Sequence, residues 1–212
     1  MNFRNPSQAV LLVAAAVWLT AVGFGLSSVW TYENTPGAIG PAPSHWPRDS
    51  AIKRAPYTPT LLLFIHPHCP CSRATMGELA ILMAHSQGLV NVQAIFVKPA
   101  GREEWEKTDL WHSAADIPGV QSSVDEGGVE AKLFRSKTSG SVLLYSSTGQ
   151  LLFSGGITGS RGHAGDNDGR SAIQSILATG GAAKNETPVF GCPLMSDADD
   201  RSKESCNELH RN

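Results

Sequence analysis

Apolar residues along this 212-residue chain fall into three regimes. The first is a continuous run. From Ala9 to Val29 the sequence reads AVLLVAAAVWLTAVGFGLSSV, 21 residues without a charge. As a helix rising about 1.5 Å per residue it spans roughly 30 Å, the thickness of a bilayer core. Trp18 and Trp30 suit interfacial depths. The apolar core of a cleaved signal peptide is shorter, about 7–15 residues. The run therefore predicts an uncleaved anchor over 9–30, preceded by a cytoplasmic stub, 1–8, whose Arg4 favours the inner face. The second regime, 31–56, is rich in Pro, Gly and Ala and predicts an irregular spacer that lifts a domain off the membrane.

The third regime starts at Thr60 and alternates. TLLLFIH is a short unbroken apolar run, the pattern of a strand covered on both faces. In SRATMGELAILMAHSQG the apolar residues Met76, Leu79, Ile81, Leu82 and Met83 recur near helical period, and Gly88 ends the pattern. VNVQAIFVKP predicts a second buried strand stopped by Pro99. REEWEKTDLWHSAADI has acidic residues at its start and Pro118 after it, the boundary signals of a helix. A short strand and turn (GVQSSVDEGG), a short helix (VEAKLFR), a hairpin around Thr148–Gly149 and a last helix (SAIQSILATG) follow. The predicted order is β-α-β-α-β-α-β-β-α, a mixed α/β sandwich over 57–182. A polar tail, 183–212, contains one apolar segment, VFGCPL.

Composition narrows the chemistry. A net charge of −2 with no clustered basic face gives no case for nucleic acid. A domain outside the cytoplasm lies in an oxidising compartment, where Cys69, Cys71, Cys192 and Cys206 are able to form disulfides in any of three complete pairings. The densest chemistry is FIHPHCPCSRAT, which sets His66, His68, Cys69 and Cys71 where the first strand ends and the first helix begins. Open α/β sheets place their sites at such strand ends.

With those elements in order, the chain resembles membrane-anchored thioredoxin-like proteins of the bacterial envelope. RATMGEL is similar to the first turns of the helix that follows the reactive motif in that family. VDEGGVEAKLFRSKTSGSVLLYSSTGQLLFSGG is similar to its strand, helix and terminal hairpin. HPHCPC, GGITGSRGHAGDN and VFGCPL also resemble the sparsely characterised group labelled RedB. The resemblance covers roughly 57–195. It implies a thioredoxin-like fold, thiol–disulfide exchange with envelope proteins as partners, and a single-pass protein of the inner membrane facing the periplasm or cell exterior. In register with RATMGEL, Cys69 takes the place of the family's attacking cysteine and Ser72 that of its resolving one. Cys71 is an extra thiol between them. Gly140 stands where the family usually has a cis-proline facing the thiols.

The residues themselves carry part of this reading. A thiol near a helix N-terminus gains stabilisation of its thiolate, the attacking species in disulfide exchange. Protonated His66 and His68 would add positive charge, and Arg73 is close in sequence. Two residues are candidate resolving thiols. Cys71 would close a strained ring, which is more easily reduced. Cys192 would be returned by docking of its apolar segment, or would serve only packing or a structural disulfide. Cys206, in a charged tail, is expected to be peripheral.

Metal handling is the rival reading, with copper or zinc as the ion and a metal-receiving envelope protein as partner; the exchange reading requires no cofactor. Thiolate and imidazole suit both ions. C-x-C is tighter than the usual zinc pair, and His66 and His68 alternate on a strand end. Candidate ligands are Cys69, Cys71 and a remote His163, since thioredoxin-like copper chaperones use a cysteine pair and a distant histidine. A third reading is a non-catalytic module that binds a partner. Asp166–Gly169 lacks the later acidic ligand of a calcium loop and fits a helix cap better. No carboxylate pair, GxSxG or phosphate loop supports a hydrolase.

Overall fold

The computed structural model describes residues 6–195, which form two units divided between Thr35 and Pro36. The first is helix α1, Pro6–Asn34, with its apolar side chains exposed. Residues Ser7–Asn34 are long and apolar enough to cross a membrane, and the expected span lies inside them.

The second unit is built on a five-stranded sheet. Its strands are β1 (Thr60–Ile65), β2 (Asn91–Lys98), β3 (Val120–Glu126), β4 (Ser141–Tyr145) and β5 (Leu151–Gly155). They lie in the order β3-β2-β1-β4-β5. The first three run parallel, and β4 and β5 are antiparallel. Helices α2 (Ser72–His85), α3 (Asp109–Ala115), α4 (Val129–Leu133) and α5 (Asp168–Thr179) complete the predicted order.

The central strand explains its own unbroken apolar run. Leu61, Leu63 and Ile65 pack with Met76, Leu79 and Leu82 of α2 and Ile173 of α5. Leu62 and Phe64 pack on the other face with Ala131, Phe134, Tyr145 and Leu194. A strand buried on both faces cannot show polar alternation. Edge strand β3 can, and Gln121, Ser123 and Glu126 are exposed or half-buried there.

Two expectations are refined. The segment 36–56 is irregular, as expected, and it is fastened along its length to the rest of the second unit. The Trp46 ring meets Phe134 and Tyr145 edge-on, with centroids 5.1 and 5.2 Å away. Tyr145 donates its hydroxyl to the Pro43 carbonyl, and Glu130 accepts from Ser50 Oγ and the Ala51 N–H. The prolines of the segment cannot supply a full ladder, so rings and side-chain bonds join a few backbone bonds, Trp46 N–H to Gly149 O and Leu151 N–H to Ser44 O among them, in attaching it. The second refinement is in α3, which is helical only from Asp109. Residues before it form turns, with Glu104 in a left-handed conformation.

A second strap follows α5. Residues 185–187 pair with the β5 edge through Ser154 N–H to Asn185 O and Thr187 N–H to Ser154 O. The chain then crosses to Lys137–Ser139, where Ser139 N–H donates to Cys192 O and Leu194 N–H to Lys137 O. The tail expected to be polar thus carries a docked strap, and Cys206 lies outside the described residues.

Candidate functional site

Ile65 ends β1, and the next six residues turn tightly into α2. The Cys69 N–H donates to His66 O at 3.0 Å and the Ser72 N–H to Cys69 O at 3.1 Å. Pro67 and Pro70 fix φ in the turn and remove two backbone donors. Cys69 is therefore delivered to the N-terminus of a 14-residue helix, with only 1% of its surface exposed.

Ser72 lies buried one helical turn on, where the family register puts a resolving cysteine. Its hydroxyl bonds to the Cys69 sulfur. The Ser72 and Ser139 hydroxyls are 2.8 Å apart, and Ser139 Oγ accepts the His66 N–H at 2.8 Å. Either hydroxyl of the Ser72–Ser139 pair can donate to the other, and the pair links the His66 N–H to the Cys69 sulfur.

Cys192 arrives from the second strap. Its N–H donates to Cys69 Sγ at 3.4 Å. The sulfurs of Cys69, Cys71 and Cys192 all lie within 4.8 Å of one another. Gly191 makes this approach possible, because a Cβ there would stand 2.0 Å from the Ser139 carbonyl oxygen. Gly140 holds the facing segment at φ +89° and donates its N–H to Phe64 O. No peptide bond among the described residues is cis, so a left-handed glycine replaces the family's cis-proline.

The three thiols differ in acidity. Burial pushes Cys69 up, but the hydrogen bonds from Ser72 and Cys192 outweigh it and hold Cys69 below the ordinary thiol value. Burial pushes Cys71 up, the charge on Cys69 adds to this, and Arg161 opposes it. Burial, the hydrogen bond to Cys69 and the charge of Cys69 push Cys192 up to about 12. Cys69 is thus the most acidic of the three thiols.

The loop singled out for His163 does reach the site, through a different residue. The Arg161 guanidinium donates to Gly191 O and faces Cys71. His163 is exposed in the turn it closes with Ser160 and is not part of the sulfur cluster. A tight turn that directs Arg161 inward leaves His163 outside. Buried Glu78 of α2 anchors the loop by accepting from Gly165 N–H (2.7 Å), Asn167 Nδ2 (3.1 Å) and Arg170 (2.6 Å). Asn167, rather than an aspartate, caps α5 by accepting from Arg170 N–H.

The other expected helpers move away from the sulfurs. Arg73 pairs with Asp109 at 2.6 Å on the surface. His66 and His68 do not point to opposite sides, because residues 67 and 68 form a turn rather than strand. Their rings gather around Trp105, at 6.2 and 4.3 Å between centroids. Beside them a cleft of about 180 Å³ is lined by His68, Cys69, Pro70, Arg73, Asp109 and Leu110. Arg161, Ser139 and Glu78 were not foreseen. Arg161 lies two residues from the histidine that drew notice, and a charged residue amid the apolar positions of α2 marked Glu78.

No family model and no curated protein matches the chain. Solved structures do. A hypothetical protein from Sinorhizobium meliloti aligns at 19% identity over 66% of this chain and 80% of that one, with a TM-score of 0.54. An uncharacterized conserved protein from Geobacillus kaustophilus aligns at 17% identity over 77% and 93%, with a TM-score of 0.55. A thioredoxin-like protein in its oxidized form aligns at 18% identity over 69% and 93%, with a TM-score of 0.43. The parallel strands, antiparallel hairpin and closing helix are those of the thioredoxin-like fold, to which this domain's architecture belongs. The particular feature of this example is a cysteine cluster completed from the strap after its last helix.

Proposed function

We propose that this chain is a membrane-anchored thiol–disulfide oxidoreductase in which Cys69 attacks and Cys192 resolves. The anchor is 9–30, the exchange domain 57–182 with its strap, and the partners are envelope proteins on the outer side of a bacterial inner membrane. The observation that carries the reading is the Cys192 N–H on the Cys69 sulfur, with the two sulfurs within 4.8 Å.

In the reductive direction the Cys69 thiolate attacks one sulfur of a substrate disulfide. A mixed disulfide forms and the substrate's other sulfur leaves as thiolate. The Cys192 thiolate then attacks Cys69, closing a Cys69–Cys192 disulfide and releasing the second substrate thiolate. The substrate gains two electrons and the chain loses two. The oxidative direction is the reverse.

The acidities give this sequence an order. Cys192 is held protonated partly by the charge on Cys69 and its bond to it. Both vanish when Cys69 becomes part of a mixed disulfide, while Arg161 continues to favour a Cys192 thiolate. The resolving thiol thus becomes more acidic only after the first step. Substrate approaches Cys69 from the cleft that it lines with His68, Arg73 and Asp109, and its 1% exposure means that a neighbouring segment shifts to admit a disulfide.

The test is trapping. Cys192→Ser should accumulate a mixed disulfide through Cys69 when the full chain meets a disulfide-bonded protein, and Cys69→Ser should accumulate none. Full reductase activity in Cys69→Ser would end this reading.

A further inference from the structure

The exchange mechanism leaves one buried thiol of the cluster without a task. Cys71 is 8% exposed, faces Arg161, and shares the cluster with Cys69 and Cys192. Three mutually close sulfurs are more than a dithiol needs.

Their spacing suits one shared ion. Thiolates bound to a single metal at about 2.3 Å stand about 4 Å apart. The three sulfurs here lie within 4.8 Å of one another, so closing on an ion asks for a movement of less than about an ångström. Each ligand is already placed. Cys69 and Cys71 sit in a turn stiffened by Pro67 and Pro70, and Cys192 is pinned by the pairing of 192–194 with 137–139. The Arg161 guanidinium beside Cys71 offsets part of the negative charge that three thiolates accumulate.

The donor set also selects the ion. Among the described residues no imidazole or carboxylate joins the group. Zinc in structural sites takes four ligands. A buried set of three soft donors, with no oxygen or nitrogen partner, instead matches a soft monovalent ion that accepts low coordination by thiolate. We propose that Cys69, Cys71 and Cys192 form a trithiolate site for Cu(I).

Binding involves no redox change. Copper stays monovalent, and the protons held on the three thiols pass to solvent as the thiolates bind. The site exists only in the reduced chain, because a Cys69–Cys192 disulfide removes two of the three donors. Copper loading and oxidation of the pair are therefore mutually exclusive. This proposal goes beyond disulfide exchange and does not require it. Trapping through Cys69 reports on exchange, and copper–sulfur coordination reports on this site.

The experiment is an anaerobic titration of the reduced full chain in detergent with Cu(I), against a chromophoric Cu(I) chelator, followed by X-ray absorption at the copper edge. The expected result is one tightly held Cu(I) per chain, bound by three sulfurs. Cys71→Ser and Cys192→Ser should each reduce the shell to two sulfurs and weaken binding by about a hundredfold or more. His163→Ala should leave affinity and shell unchanged. A two-sulfur shell in the unaltered protein would overturn the proposal without relying on any variant. So would unaltered affinity in Cys71→Ser or Cys192→Ser, a nitrogen ligand lost in His163→Ala, or Zn(II) displacing Cu(I) at equal concentration.

Discussion

The backbone N–H of Cys192 donates to the sulfur of Cys69 at 3.4 Å, joining residues 123 positions apart. With the Ser72 hydroxyl it makes Cys69 the acidic thiol of the three. An ultraviolet thiolate titration of the reduced Cys206→Ser protein should show one group ionising below the ordinary thiol value of about 8.5 and two above it. Cys69→Ser should remove the early step and bring the two later ones down, because the charge of Cys69 no longer opposes them.

The same differences set a pH dependence of stability. Cys69 is lowered in the folded state, so its contribution is complete above the unfolded thiol value and is lost as pH falls through its folded value. Cys71 and Cys192 are raised, so theirs is complete below the unfolded value and is lost as pH rises toward their folded values. Above about pH 8.5 the folded chain holds more thiol protons than the unfolded one, and the reduced protein should lose stability. Denaturant melts of Cys192→Ser across the alkaline range should show a shallower decline.

Ser72→Ala removes the hydroxyl bond to Cys69 and breaks the link to Ser139. Cys69 should then titrate closer to an ordinary thiol, and exchange at neutral pH should slow. Ser139→Ala should move the same titration in the same direction, by less, because it acts through Ser72. A Ser72→Ala protein with an unshifted Cys69 would show that the hydroxyl is only packing.

Glu78 is fully buried and pairs with Arg170 at 2.6 Å. Glu78→Ala leaves the Gly165 N–H without its acceptor and takes one acceptor each from Asn167 Nδ2 and Arg170, which keeps its pair with Asp166, a change that costs about 1–3 kcal/mol. Because Glu78 also fixes the loop that carries Arg161, the variant should lose the influence of Arg161 on Cys71. Thermal melts measure the first effect and thiolate titration the second.

Trp46→Ala should cost about 2 kcal/mol, the scale of losing a half-buried aromatic and its edge contacts. Limited proteolysis should leave 37–56 intact in the native protein and cut it readily in the variant. Cleavage at the same rate in both would mean that the segment is not held down by this ring.

The fold was legible because its signals are local. The run at Thr60–Ile65, the helical period after Cys69 and the turn at Gly149 each report on neighbouring residues, and each element lies where its pattern predicts. The site was legible only where it too is local. Cys69 at the start of α2 follows from strand-turn-helix order. The apolar residues of VFGCPL hinted that Cys192 packs somewhere, but the position of Cys192 depends on pairing with Lys137–Ser139, which no short-range pattern encodes. Arg161 and His163 sit on one glycine-rich loop, and only the path of that turn decides which of them faces inward. The prolines of 36–56 suggested a free tether because irregular backbone looks alike in sequence, docked or undocked.

The pairing of the second strap also has a temporal consequence. Cys69 and Cys71 lie in the first 71 residues, whereas Cys192 and the strap that carries it come after α5. A chain made in order exposes two of the thiols while the rest is being made, and the third joins them only once the second strap has formed. Newly made copies therefore pass through an interval in which Cys69 is open to any disulfide or metal ion nearby.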